Sequence, residues 1–257
     1  RTGTVTLNVG TLNLNAATLG NTVVVPTGAS AAIDNASNNG TLNGNFTGGG
    51  TLTIQNTSNT NLSENVGGDW SGFTGTLNYN TSNRVVNIFG PAGMDLSHVA
   101  VNFANTGNIT NSSFRTSGTG TTKFGSLAGF GYLETNGATE IGSLGTNTTF
   151  SGVIRNAGSI TKVGAGTLTL SGASTYTGAT TVNAGTLQIG NGTAGSISAG
   201  SAVSVSGGAT LAFNQANSAT LSNNIANAGT VKGAQASGIT NTLSGVISGA
   251  GGVTQSG

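Results

Sequence analysis

Cysteine is absent from this chain, charge is scarce, and only two prolines occur in 257 residues. Without cysteine there is no disulfide scaffold, zinc ribbon, iron–sulfur site or thiol nucleophile. Two prolines and irregularly spaced glycines exclude a collagen helix. Asp, Glu, Lys and Arg supply 5% of residues, where an ordinary domain has about 25%. Seven basic residues against six acidic ones leave a formal charge of +1. The basic residues, Arg1, Arg84, Arg115, Lys123, Arg155, Lys162 and Lys232, are scattered. They assemble no basic face to neutralise phosphates, so no nucleic-acid partner is expected. The longest aliphatic run is Val23-Val24-Val25, far short of the roughly 18 apolar residues of a spanning helix. No membrane insertion by this segment is expected.

Helix signals are nearly missing too. Gly or Asn interrupts almost every window of eight residues, and an interior Gly costs a helix about 1 kcal/mol relative to Ala. What the chain has instead is alternation. Thr4-Val5-Thr6-Leu7-Asn8-Val9, Thr51-Leu52-Thr53-Ile54, Thr167-Leu168-Thr169-Leu170 and Ser201-Ala202-Val203-Ser204-Val205 alternate polar and apolar residues. These read as short half-buried strands, separated by Gly, Asn and Ser turns.

The strands repeat. Gly-Thr-Leu-x-apolar occurs at 10–14, 50–54, 75–79, 166–170 and 185–189, with a looser copy at 208–213. Leu168 to Leu187 is 19 positions and Leu187 to Leu211 is 24. That spacing fits one coil of a β-solenoid better than a propeller blade of about 40–45 residues. The expected fold is all-β, a parallel β-helix of about 12 coils and about 55 Å, since each coil rises about 4.8 Å. Leu7, Leu12, Leu52, Leu77, Leu168, Leu187 and Leu211 are the candidate inward stack. Pro26 and Pro91 lack an amide hydrogen and belong in loops. Residues 1–257 read as one continuous solenoid domain.

A longer repeat overlays the coils. Phe150-Ser151-Gly152-Val153-Ile154 recurs as Leu243-Ser244-Gly245-Val246-Ile247, an offset of 93 residues or about four coils. Gly158-Ser159-Ile160-Thr161-Lys162 recurs as Gly251-Gly252-Val253-Thr254-Gln255. Joined, the end and the start read GGVTQSG–RTGTVTLNVG, close to SITKVGAGTLTLSG with one insertion. One reading is a unit of a longer tandem array; the other is a fragment boundary with chance similarity. Arg1, Thr2 and Gly3 at one end, and Thr254, Gln255, Ser256 and Gly257 at the other, are the candidate assembly ends. The expected partner there is a second copy or a covalent continuation.

The segment Ser159–Gly190 reads SITKVGAGTLTLSGASTYTGATTVNAGTLQIG. It resembles the autotransporter-associated β-strand repeat, also called the passenger-associated transport repeat. The resemblance rests on Lys162, Gly164-Ala165-Gly166, Leu168, Thr175-Tyr176-Thr177-Gly178 and Gly185-Thr186-Leu187. Residues 246–257 look like the start of another copy. The resemblance implies a right-handed β-solenoid in a secreted bacterial surface protein, with roles in adhesion and export rather than catalysis.

Candidate chemistry is sparse. The acids are Asp34, Glu64, Asp69, Asp95, Glu134 and Glu140. Glu134 and Glu140 flank a turn at Asn136-Gly137 and are the only pair considered for glycoside cleavage. His98, the single histidine, lies three residues after Asp95, but no G-x-S-x-G elbow supports a triad. Trp70, Phe73, Tyr79 and Phe89 cluster in one stretch. Exposed, they would stack on sugar rings; buried, they would fill the core. Trp70, Phe73 and Tyr79 are therefore the candidate glycan contacts. No catalytic residue, metal or cofactor is expected. The reading is a non-enzymatic extracellular rod, filament or coat, with a carbohydrate-binding adhesin as the alternative and a polysaccharide-cleaving enzyme behind it.

Overall fold

The computed structural model describes residues 3–256 apart from 16, 36–39, 58–61, 81–85, 92, 106–112, 117 and 119; the side chains of 62–64, 86–89 and 193 are also outside the description. The chain is an all-β parallel solenoid, and every registered pairing is parallel. Each coil visits three faces in turn. The first coil places Thr4–Thr6 on the first face, Val9–Asn13 on the second and Thr18–Leu19 on the third. The next coil repeats the order with Thr22–Val24, Ser30–Asp34 and Thr41–Leu42. The sequence gives no hint of this three-sided cross-section, because all three faces use the same short alternating strands.

The second face carries one unbroken ladder, from Val9–Asn13 to Gly252–Gln255. Its step varies from 19 residues, Leu168 to Leu187, to 26, Val101 to Leu127. The variation is absorbed in the loops between faces. The third face is the least regular. After Val153–Arg155 its ladder gives way to a single bridge, Ala173 to Ser196, and then to Ala219–Leu221 beside Asn241–Leu243.

Inward side chains stack in register, as period-two alternation requires. One column of the second face runs Leu12, Ile33, Ile54, Tyr79, Phe103. Another runs Leu168, Leu187, Leu211, Val231. Leu52, Leu77, Leu168, Leu187 and Leu211 are buried as expected, while Leu7 and Leu12, in the first coil, are only partly covered. Pro26 and Pro91 each open a turn, accepting hydrogen bonds from Ala29 N and Met94 N.

Glycine has a specific task at the corner between the first and second faces. Gly142, Gly164 and Gly185 all have positive φ, and a Cβ on Gly164 would lie 1.9 Å from the carbonyl oxygen of Gly142. No side chain fits between coils there. Polar ladders hold the outside: Asn102 Nδ2 donates to Asn78 Oδ1 at 3.1 Å, and Asn156 Nδ2 to Asn136 Oδ1 at 3.3 Å.

The 93-residue repeat does not map onto whole coils. Phe150 ends a second-face strand and Ile154 lies on the third face. Their counterparts Leu243 and Ile247 lie on the third and first faces. Likewise Ser159–Lys162 is a first-face strand, whereas Gly252–Gln255 is a second-face strand. The offset is therefore four coils plus one face. A motif of alternating strand, glycine corner and alternating strand fits any corner of the prism.

Candidate functional site

The three rings read as glycan contacts lie inside the coil. Trp70 and Tyr79 are 2% exposed and Phe73 is 0%. Trp70 stacks on Phe46 at 3.9 Å with planes 6° apart, meets Phe73 edge-on at 5.8 Å, and donates its indole N–H to Gly67 O. Tyr79 packs edge-on against Phe103 and Phe114, and its hydroxyl donates to Ser113 O. The expectation of an open aromatic platform is corrected: these rings sit at inward positions of their strands, where apolar area is removed from water. The Phe89 side chain lies outside the described residues.

The acid pair is likewise separated. Glu134 is on a third-face strand and Glu140 on a first-face strand. Glu134 is buried, in register between Arg115 and Arg155 of the neighbouring coils. Arg155 Nε donates to Oε1 at 2.9 Å, and Arg155 Nη2 and Arg115 Nε complete the cluster. Burial alone would raise this carboxyl. The hydrogen bonds and charges of both guanidiniums outweigh it and hold the group below its ordinary value. Such a carboxylate is a structural counter-ion, fully engaged, and Arg155 also lies 4.0 Å above the Tyr132 ring. The Glu64 side chain is outside the described residues.

His98 and Asp95 form no triad. Ser97 Oγ lies 3.1 Å from His98 Nδ1, but Asp95 faces elsewhere: Oδ1 accepts from Ser97 N at 2.9 Å and Oδ2 approaches Lys123 Nζ at 3.5 Å. Among the described residues no group of three or more His, Asp or Glu side chains is placed to hold a metal ion.

Asp95 and His98 do share a groove with Asp69. The first-face ladder runs in register through Thr4–Thr6, Thr22–Val24, Asn45–Gly48 and Asp69–Phe73. No registered pairing then joins Asp69–Phe73 to the next first-face segment, which begins at Asp95. At this break a groove of about 420 Å³ opens, lined by Gly68, Asp69, Trp70, Ser71, Pro91, Gly93, Met94, Asp95 and His98. Trp70 thus borders a surface feature although its ring is packed inside.

The assembly-end residues are placed only in part. Arg1, Thr2 and Gly257 lie outside the described residues. Gly3 is exposed, as are Thr254, Gln255 and Ser256, and Ser256 N donates to Gly233 O. Gln255 takes the register position of Phe213 and Gly233, and a Cβ on Gly233 would run into its Oε1.

Two polar groups sit where sequence patterning expects hydrocarbon. Lys162 is 1% exposed and occupies an inward first-face column between Ile141 and Val182. Its Nζ donates to Val163 O at 2.7 Å, Gly164 O at 2.8 Å and Ala184 O at 3.2 Å. Three ammonium protons thus meet three carbonyls from the corners of two successive coils. Burial pushes its pKa down to about 8. Tyr176 is fully buried, with its hydroxyl 2.7 Å from Thr180 Oγ1, which is 2.7 Å from Ser201 Oγ. Ser201 Oγ in turn donates to Gly178 O. Burial pushes the phenol up to about 12. Both residues stand at positions that carry the family resemblance. Strand alternation marks Lys162 as inward; its charge argues the opposite.

Residues 160–189 match the family model of the passenger-associated-transport-repeat. The match spans first-face and second-face strands of two successive coils, with Lys162 ending a first-face strand and Tyr176 in the connection between the coils. No curated protein matches the chain. The passenger-associated-transport repeat is thus, in this fold, a corner clamp and a hydroxyl chain packed between β-ladders.

Proposed function

We propose that this chain is a non-catalytic structural length of a secreted bacterial surface protein. It forms a stiff, nearly uncharged, right-handed rod that spaces or presents other segments. The observation that carries this reading is the passenger-associated-transport-repeat match set within the unbroken second-face ladder. Passenger segments of autotransporters are exported, so an extracellular or cell-surface location follows from the same match. Backbone ladders and stacked Leu, Ile and Val do the work, and adhesion, a filament or a coat is the use.

End-to-end contact with a second copy, or continuation of the coil, belongs to the same proposal. Sedimentation of the chain across a concentration series tests it; a concentration-independent monomer counts against self-association.

The test of the structural reading is removal of one coil. Thr186 pairs with Thr210, so deleting residues 186–209 places Thr210 directly after Gly185 in the vacated register. A modular rod retains its β-sheet circular dichroism and cooperative melting after this deletion. Loss of folding refutes interchangeable coils, and turnover of any polysaccharide by the intact chain refutes the non-catalytic assignment.

A further inference from the structure

Exposed charge is not spread evenly along the rod. On the first face Asp95, Lys123 and Glu140 stand in register on three successive coils, a ladder of minus, plus, minus. On the third face of the same three coils Arg115, Glu134 and Arg155 stand in register as plus, minus, plus. Among the described residues the other charged side chains that reach solvent are Asp69, also on the first face, and Lys232 on the second. Within each ladder, neighbours of opposite sign support the pairing. Between the ladders, the signs are complementary and the spacing is the same, about 4.8 Å per coil. Glu134 is buried between its two guanidiniums, whose side chains stay 38% and 30% exposed, so the third face presents positive charge. The Asp95 side chain is 48% exposed and Glu140 is half-buried, so two carboxylates flank one ammonium and the first face presents negative charge. Each ladder also has an exposed apolar side chain beside it. Leu144, 42% exposed, stands at the edge between the first and second faces, after Ala138–Ile141 and before Thr148–Phe150. Phe130, 44% exposed, stands at the edge between the second and third faces, two residues before Tyr132, whose ring lies under Arg155.

We propose that these two patches bind each other, the third face of one copy packing on the first face of a second copy that runs in the same direction. The direction follows from the edges. When two such prisms lie side by side and parallel, the edge between the second and third faces of one meets the edge between the first and second faces of the other. That sets Phe130 against Leu144. Reversing one rod sends them to opposite margins of the contact. Parallel rods also bring Arg115, Glu134 and Arg155 opposite Asp95, Lys123 and Glu140, coil for coil. Charge complementarity of this kind fixes register and orientation more than it adds affinity, and the Phe130–Leu144 contact removes apolar area from water. The two partners use different surfaces, so the contact is heterologous. Each added copy offers the same free face again, and association propagates sideways into a ring or an open sheet. This contact rests on the rod reading above and names its partner, a second copy alongside rather than at the end.

The 257-residue chain is sedimented over a concentration series at about 0.1 M and about 1 M NaCl, between which the screening length falls from about 10 Å to about 3 Å. Asp95→Lys with Glu140→Lys spoils the first face through its charges, and Leu144→Glu spoils it at the apolar edge. Phe130→Glu spoils the third face and leaves the Glu134 cluster intact. Lys232→Glu on the second face is the control, and melting temperatures report folding. The wild type and Lys232→Glu are expected to grow beyond a dimer at the lower salt and to associate about tenfold more weakly at the higher. Each first-face or third-face variant alone stays monomeric. An equimolar mixture of Leu144→Glu and Phe130→Glu, which retain one intact face each, forms a heterodimer and stops there. A monomeric wild type, association indifferent to salt, or a mixture that stays monomeric or grows past the dimer overturns the proposal. Face variants that still assemble end to end overturn the lateral contact and leave the rod standing, whereas the coil deletion tests the rod itself.

Discussion

Replacing Lys162 by Met tests whether a charge inside a solenoid stabilises it. Met fills a similar volume but offers no donor to Val163 O, Gly164 O and Ala184 O. Hydrogen bonds from a charged group contribute about 1.5–3 kcal/mol each, so three give roughly 5–9 kcal/mol. Against this stands the cost of holding the ammonium out of water. A pKa lowered from 10.5 to about 8 corresponds to about 3 kcal/mol at neutral pH. The net loss expected for Lys162→Met is therefore about 2–6 kcal/mol. Hydrogen exchange at Val163 N and Asn183 N, which donate to Ile141 O and Lys162 O, measures that loss locally. Local measurement matters because solenoid stability is a sum over neighbouring coils. The pH dependence has a definite sign. Between about pH 8 and 10.5 the unfolded chain binds more protons than the folded one, so stability rises with pH through that window. In Lys162→Met the same window is flat. A variant as stable as the wild type at pH 7 refutes the reasoning, since the carbonyls then have no need of the ammonium.

Three further outcomes follow from the buried polar groups and the corner glycines. Glu134→Gln leaves Arg115 and Arg155 facing a neutral amide, and is expected to lower stability by about 2 kcal/mol, less than the roughly 3–5 kcal/mol for breaking a fully buried pair because the two guanidiniums are about one-third exposed, read by urea denaturation. In the wild type the Glu134 contribution is present above the ordinary glutamate range and is lost as pH falls through its lowered value, so the variant shows a shallower acid limb. Absorbance titration is expected to show Tyr176 un-ionised until about pH 12 in the native chain, and Tyr176→Phe removes that late step while costing about 1 kcal/mol. Gly164→Ala combines a positive φ with a Cβ 1.9 Å from Gly142 O, and is expected to lower the melting temperature by several degrees or more, about 2 kcal/mol; unchanged melting shows that the corner relaxes.

The ladders were legible because alternation and spacing are direct consequences of the fold. Leu168, Leu187 and Leu211 recur at 19 and 24 residues, and they are partners in one column. What alternation cannot carry is which face a strand joins. Phe150-Ser151-Gly152-Val153-Ile154 turns from the second face to the third, and Leu243-Ser244-Gly245-Val246-Ile247 turns from the third to the first. The local sequence specifies a strand, a glycine corner and a strand, and each corner of the prism satisfies it. Burial of the aromatics was equally hidden: Asp69-Trp70-Ser71-Gly72-Phe73 does not alternate strictly, and its register shifts between Asp69 and Gly72. That irregularity carries Trp70 and Phe73 both inward and immediately precedes the break in the first ladder. The groove was illegible for the same reason, since it is made by a pairing that does not occur.

The exchangeability of faces bears on how such a chain lengthens. If whole coils were the repeating unit, a duplicated segment would have to contain an integral number of turns to keep its apolar columns aligned. The 93-residue copy is four turns plus one face, and its inward residues nonetheless fall into columns: Ile160 stacks on Thr180 on the first face, and Val253 stacks on Val231 on the second. Parallel pairing needs only a preceding strand with the same alternation, and all three faces supply it. Side-chain demands then differ by column. Lys162 sits above Ile141 with three corner carbonyls within reach, whereas its counterpart Gln255 stacks over Gly233, where the missing side chain leaves room for an amide. A strand and a corner is thus the smallest segment that each of the three faces accommodates in register, and the polar residue at its end meets a different partner on each face, corner carbonyls for Lys162 and a glycine for Gln255.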